Sequence, residues 1–218
     1  MKKNILFLLL AAILISCTQT KKTYYENGDI ESMVEYRLGK ENGKTIYYYQ
    51  YSGRVKLVID MKNGKKNGKL IRYYSNGNVE AKEFYQNDLL EGKAVLYNVR
   101  GDVMEETNYC AGVKNGKYTM YHDNGELKVS GSFNHDLYDE EWFYYDDRGL
   151  MVGEGKFKLG SGILYAYEDK GYLDRMSYFV NNVKYGEELY YGANGEITKA
   201  LLFKDEKIVE VNGEPVNN

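Results

Sequence analysis

The stretch Leu70-Ile71-Arg72-Tyr73-Tyr74-Ser75-Asn76-Gly77-Asn78-Val79-Glu80-Ala81-Lys82-Glu83-Phe84-Tyr85-Gln86 decides the fold. Its flanks, Leu70 to Tyr74 and Val79 to Tyr85, are rich in β-branched and aromatic residues, and Ser75-Asn76-Gly77 supplies turn chemistry between them. If glycine at positive φ closes a type I turn, the pairing centre falls on Asn76 and Tyr73 lies directly opposite Val79. The segment therefore reads as a β-hairpin, its Tyr–Val pair contributing about 0.2 to 1 kcal/mol over alanine.

The same phrase recurs outward in both directions. The glycine of Tyr-x-x-x-Gly falls at Gly28, Gly53, Gly77, Gly101, Gly125, Gly149, Gly171 and Gly195, in steps of 25, 24, 24, 24, 24, 22 and 24 residues. Four residues before each stands Tyr24, Tyr49, Tyr73, Tyr97, Tyr121, Tyr145, Tyr167 or Tyr191. Two residues after stands Ile30, Val55, Val79, Val103, Leu127, Met151, Leu173 or Ile197. Eight residues after stands Tyr36, Met61, Tyr85, Tyr109, Phe133, Phe157, Phe179 or Phe203. Three columns, each filled in every unit, predict an all-β fold: an elongated antiparallel β-meander of about eight tandem 24-residue β-hairpin repeats over residues 24–210, with the columns as its packed face. A second turn, such as Asn63 to Gly68 or Asn87 to Gly92, joins each hairpin to the next.

Side chains alternate along a strand, so only even insertions keep a column on its face. Two residues are missing from the second turn at Lys158 to Gly162, which preserves the face. One residue is added between Tyr36 and Tyr49, which predicts a bulge near Tyr47 to Tyr51.

Residues 1–16 carry Lys2 and Lys3, an apolar run from Ile5 to Ile15, and Ser16, the pattern of a secretory signal too short for an ordinary membrane span. The ending Leu14-Ile15-Ser16-Cys17 resembles a bacterial lipobox. That resemblance implies cleavage before Cys17, a lipid on its thiol, and an exported protein anchored in the bacterial cell envelope. Residues 17–23 then read as lipidated cysteine and tether, and residues 211–218 as a C-terminal tail.

Lys and Arg number 29 against 32 Asp and Glu, a net charge of -3, which leaves no global positive field for nucleic acid. Cys17 and Cys110 make no disulfide framework, and His122 and His135 leave little for zinc; no metal and no cofactor is expected. Cys110 reads as a free structural thiol. Gly153-Glu154-Gly155 is a lone GxG inside a repeat, without the lysine and aspartates that phosphoryl transfer needs. His122 has no serine or cysteine at a matching offset. The acids Asp136, Asp139, Glu140, Glu141, Asp146 and Asp147 lack the alternation of a calcium loop and read as a solvated edge. The chain reads as non-catalytic.

Two groups are candidates for binding. Offsets of minus three and minus one from the column tyrosines give Tyr118 with Met120 and Trp142 with Tyr144, with Tyr48, Leu96 and Tyr190 at related offsets. Pointing away from the columns, they read as an aromatic surface for a protein partner. The other reading of the same pattern is a curled sheet packed on both faces. The basic run Lys62, Lys65, Lys66 and Lys69, continued by Arg72, reads either as solvated turns or as a contact with an anionic surface.

Tyr73-Tyr74-Ser75-Asn76-Gly77-Asn78-Val79 and Lys62-Asn63-Gly64-Lys65-Lys66-Asn67-Gly68-Lys69 resemble the MORN repeat, in particular its bacterial variant, found in proteins described as antitoxin components of toxin–antitoxin systems. The resemblance implies an elongated twisted sheet serving as a protein-binding or membrane-associated scaffold, with a toxin as one kind of protein partner. Eukaryotic phosphoinositide kinases carry related repeats beside other domains. The chain departs from the motif at Glu140, which replaces the second-turn glycine. An exported lipoprotein fits immunity at the envelope better than neutralisation of a cytoplasmic toxin. The alternative implied function is an envelope scaffold that meets anionic surfaces through its lysine-rich turns.

Overall fold

The computed structural model describes residues 18–204 and 206–216. The signal segment and Cys17 lie outside them. The strands are β1 (Thr18–Tyr24), β2 (Ile30–Arg37), β3 (Lys40–Tyr48), β4 (Val55–Lys62), β5 (Lys65–Tyr73), β6 (Val79–Gln86), β7 (Leu89–Leu90), β8 (Gly92–Tyr97), β9 (Val103–Cys110) and β10 (Val113–Tyr121). They continue as β11 (Leu127–Asn134), β12 (Leu137–Tyr145), β13 (Met151–Lys158), β14 (Ser161–Tyr167), β15 (Leu173–Val180), β16 (Val183–Tyr191), β17 (Ile197–Lys204), β18 (Lys207–Val211) and β19 (Glu214–Pro215). All pair antiparallel in one 19-stranded sheet, each with its neighbours in the chain. β7 and β8 are two halves of one strand against β6. Thr18–Thr23 is therefore not a tether: it is an edge strand in register with β2, its Thr23 hydroxyl 2.8 Å from that of Ser32. The tail likewise begins inside the sheet, with Val211 closing β18.

The first turn forms as its residues dictate. Gly77 takes φ 97°, its N–H donates to Tyr74 O, the Tyr74 N–H donates to Asn78 O, and Tyr73 pairs with Val79. One residue further the register jumps: Arg72 pairs with Ala81, so Glu80 is an extra residue on its strand. The same bulge stands beside the first turn of all eight hairpins. Its consequence is parity. A one-residue bulge places the side chains beyond it on the opposite face from those before it. The tyrosine column and the aliphatic column thus lie on one face, while the column eight residues after the glycine lies on the other, which corrects the reading that all three share a face.

The second turn is a two-residue loop with both residues at positive φ, as at Asn63 (53°) and Gly64 (80°). This twist matches that of the flanking strands. Beyond it, Ile59 pairs with Leu70 but Met61 with Lys66, so β5 carries two extra residues, including Gly68 at φ 129°. A Cβ there would stand 2.7 Å from that of Asp60, which is why glycine is required. In the seventh unit β13 and β14 pair without a break. The two missing residues are this bulge, and the Leu159-Gly160 turn is kept. The single added residue of the second unit enlarges the first turn, where Gly53 N–H reaches back to Tyr49 O and Tyr51 adopts φ 67°. The bulge expected near Tyr47 to Tyr51 is thus an enlarged turn, and Tyr48 rather than Tyr49 faces Val55.

One face buries the core: Leu70, Ala81, Phe133, Trp142, Phe157 and Leu201. Toward the ends the same face turns polar. Glu188 is 1% exposed and is held by Lys184 Nζ at 2.7 Å and Arg175 Nε at 3.3 Å. None of the column tyrosines is among the buried residues, and Tyr24 is 58% exposed. Replacing Trp142 by Ala is expected to cost about 3 to 5 kcal/mol in chemical denaturation, and half-buried Tyr97→Ala clearly less. Equal losses would mean that the two faces carry equal shares of the core.

Candidate functional site

Trp142 lies at the centre of the largest aromatic cluster. Tyr118 stacks on it at 5.7 Å, and Phe133 at 5.0 Å and Tyr138 at 4.6 Å meet it edge to face. Phe157 and Tyr144 complete the cluster. The indole N–H lies 3.1 Å from both Ser132 O and Asp139 O, carbonyls of the bulge where Glu140 takes the place of glycine at φ 61°. Gly131, paired with Tyr118 across the strands, leaves the space the ring fills; a Cβ there would overlap it. Trp142 is 2% exposed and Tyr118, Met120 and Tyr144 are half-buried, so these four do not form an open face away from the columns. They lie with Phe133 and Phe157 because the bulge reverses the parity on which that assignment rested. Burial pushes the Tyr144 phenol up to about 12, and burial, with Glu105 beside it, pushes Tyr118 up as well.

The face opposite this core carries Phe143 and Tyr165 at the middle of their strands, with Tyr178 37% exposed. Phe143 and Tyr165 line a shallow depression with Glu141, Glu154 and Lys156. The Tyr167 hydroxyl donates to Glu154 Oε1 at 2.7 Å, fixing that carboxylate. These residues were missed at the sequence level. The signal that finds them is the offset of minus two from the column tyrosines Tyr145 and Tyr167, on the face from which the bulge removes the third column.

The lysine run divides in two. Lys62 and Lys65 are exposed and flank the two-residue turn, paired with each other across it. Lys66 lies with its ammonium 4.1 Å from the centre of the Tyr85 ring, and its N–H donates to Asp88. The Lys69 N–H donates to Asp60, which also accepts from the Lys44 ammonium at 2.9 Å. Burial pushes the Asp60 carboxyl up, but Lys44 and the Lys69 N–H outweigh it and hold it below its ordinary value. Lys62 shares a groove with Arg37, Leu38 and Lys40 of the preceding second turn.

A further column joins successive units. The residue after the column tyrosine sends its side chain to the main chain one repeat on: the hydroxyls of Tyr25, Tyr49 and Tyr74 donate to the carbonyls of Tyr48, Tyr73 and Tyr97 at 2.7, 2.7 and 2.8 Å. His122 makes the equivalent contact to Tyr145 O at 2.8 Å, which gives this half-buried histidine a structural role. Asn76 and Asn124 reach Val99 O and Asp147 O in the same manner. His135 stands at φ 51° in its second turn, and Cys110 is exposed beside Ala111. Among the described residues no three His, Cys, Asp or Glu side chains converge as a metal site would require.

With this geometry in hand, the family model for the MORN repeat variant matches residues 20–37, 66–87 and 114–135. Each match covers one first-turn hairpin: β1–β2, β5–β6 and β10–β11. These three hairpins are similar to the MORN repeat variant. No curated protein matches it. The solved structure "Crystal Structure of TcdB2-TccC3-TEV" aligns with 84% of this chain at 13% identity and a TM-score of 0.23, a likeness too low to bear on fold or function. The chain spans 12% of that protein's length.

The phenols predict alkaline sensitivity. Tyr144 titrates near 12 in the fold against 10.0 when free, so it contributes stability that is complete below pH 10 and is lost as pH rises toward 12. Denaturation midpoints should fall across that window, and Tyr144→Phe should flatten the fall. A midpoint independent of pH there would contradict the buried placement.

Proposed function

We propose that the protein is a non-catalytic scaffold that binds another protein through the face opposite its aromatic core, and that it is held at the bacterial envelope by a lipid on Cys17. The observation that carries the binding reading is the position of Phe143, Tyr165 and Tyr178. Among the described residues, aromatic side chains stand on a sheet face with no second layer over it, beside Lys156 and a Glu154 carboxylate held by the Tyr167 hydroxyl. MORN-type repeats are in general protein- or membrane-interaction modules, and the matched hairpins support this class of function. Within it, an immunity-like partner that neutralises a toxin at the envelope is the specific reading, and an exported chain suits it.

Two experiments test the proposal. Phe143→Ala with Tyr165→Ala should abolish capture of the partner from the native envelope while the melting temperature falls little. Retained capture would exclude this face. Mass spectrometry of the mature N-terminus should show an acylated Cys17, and Cys17→Ala should leave unprocessed or released protein; an unmodified Cys17 in the mature chain contradicts the anchor.

A further inference from the structure

From the strand register we infer that the second-turn edge of the first two repeats rests on an anionic bilayer, so that the sheet stands on this edge with its first-turn edge directed away. This orientation depends on the lipid anchor at Cys17.

Two independent features converge on that edge. The first is covalent. Thr18 pairs with Arg37, the last residue of β2, so the chain enters the sheet beside the turn Leu38-Gly39. Cys17 is one residue earlier, and a residue of chain reaches at most about 3.6 Å. The described chain therefore begins at this edge, and a lipid on Cys17 would be attached beside it. The second feature is charge. Arg37 faces Lys40 across one second turn and Lys62 faces Lys65 across the next, tips about 10 Å apart on successive hairpins. All four side chains are exposed, and among the described residues none of them forms an ion pair. Leu38, 85% exposed, projects between Arg37 and Lys40. An apolar tip flanked by long cationic side chains suits a headgroup layer, where the apolar part dips and the charges stay in water.

The opposite edge has a net negative charge. Its first turns expose the acids Glu26, Asp123, Glu126, Asp147, Glu168, Asp169 and Glu196 beside the cations Arg54, Arg100, Arg148 and Lys170, of which Arg148 is paired with Asp146 and Asp169. An anionic surface repels that edge and attracts the basic one, so lipid and charge act together to set a single orientation. The third second turn, Asn87-Asp88, has no cation at its tip, which confines the basic contact to the end of the sheet where the chain enters.

Lysine footprinting of the native lipidated protein tests the orientation. The full chain is reconstituted in vesicles of phosphatidylcholine with or without phosphatidylglycerol, acetylated briefly, and read by mass spectrometry. Acetylation of Lys40, Lys62 and Lys65 should fall several-fold when phosphatidylglycerol is present, and recover as salt screens the contact. Lys128 and Lys170, exposed on the first-turn edge, should react equally in both. The same spectra report the state of Cys17. An acylated Cys17 with no protection of Lys40, Lys62 and Lys65, or with protection of Lys128 and Lys170 instead, overturns the orientation alone. An unacylated Cys17 overturns the anchor and the orientation with it.

Discussion

A bulge of one residue beside each first turn governs which side chains meet. A single antiparallel sheet has no second layer to pack on, so its core must be built between neighbouring hairpins on one of its faces. Without the bulge, Val79 and Tyr85 would share a face. With Glu80 inserted between them, Tyr85 joins Leu70 and Ala81 instead. The same displacement in the sixth unit brings Trp142 against Phe133 and Phe157. It leaves Phe143 and Tyr165 on the other side.

The contacts between units are local and repeat with the sequence. Tyr25, Tyr49, Tyr74 and His122 each satisfy a main-chain carbonyl one repeat further on, and Arg54, Asn76 and Arg100 bind the next turn in the same way. Each such bond joins only nearest neighbours, as in other repeat arrays whose stability is a sum over units and interfaces. The aromatic packing of the fifth to seventh units contrasts with the polar ends of the same face, where Glu188 needs two cations and Thr45 Oγ1 has no hydrogen-bond partner. The central units carry most of the apolar burial and the ends carry fixed charge.

The architecture was legible because glycine and tyrosine mark the turn by chemistry, and eight copies make the 24-residue step visible. The assignment of faces was not legible by counting alone. A fixed spacing of six between Val79 and Tyr85 repeats in every unit whether or not one residue in between is bulged out. The clue lay in size complementarity: Gly131, Gly153 and Gly155 stand across from Tyr118, Tyr144 and Trp142, which places those rings over glycines and so inside. Glu140 was legible as a departure but not its consequence, a non-glycine residue at positive φ beside the Trp142 indole. Thr18 to Thr23 lie before the first column tyrosine and outside the count of the columns, and pairing with β2 shows them to be a strand. Of the lysine run, Lys62, Lys65 and Lys69 remain exposed, while Lys66 lies with its ammonium over the Tyr85 ring; the bonds to Asp88 and Asp60 are made by the main-chain N–H groups of Lys66 and Lys69.

The inward turn that the bulge gives the aromatic cluster has a direct optical test because Trp142 is the only tryptophan in the chain. Its fluorescence in the folded protein should be blue-shifted from that of the unfolded chain and weakly quenched by acrylamide. Emission at the wavelength of the unfolded protein, with quenching equal to that of free indole, would place Trp142 in solvent and contradict the assignment of faces.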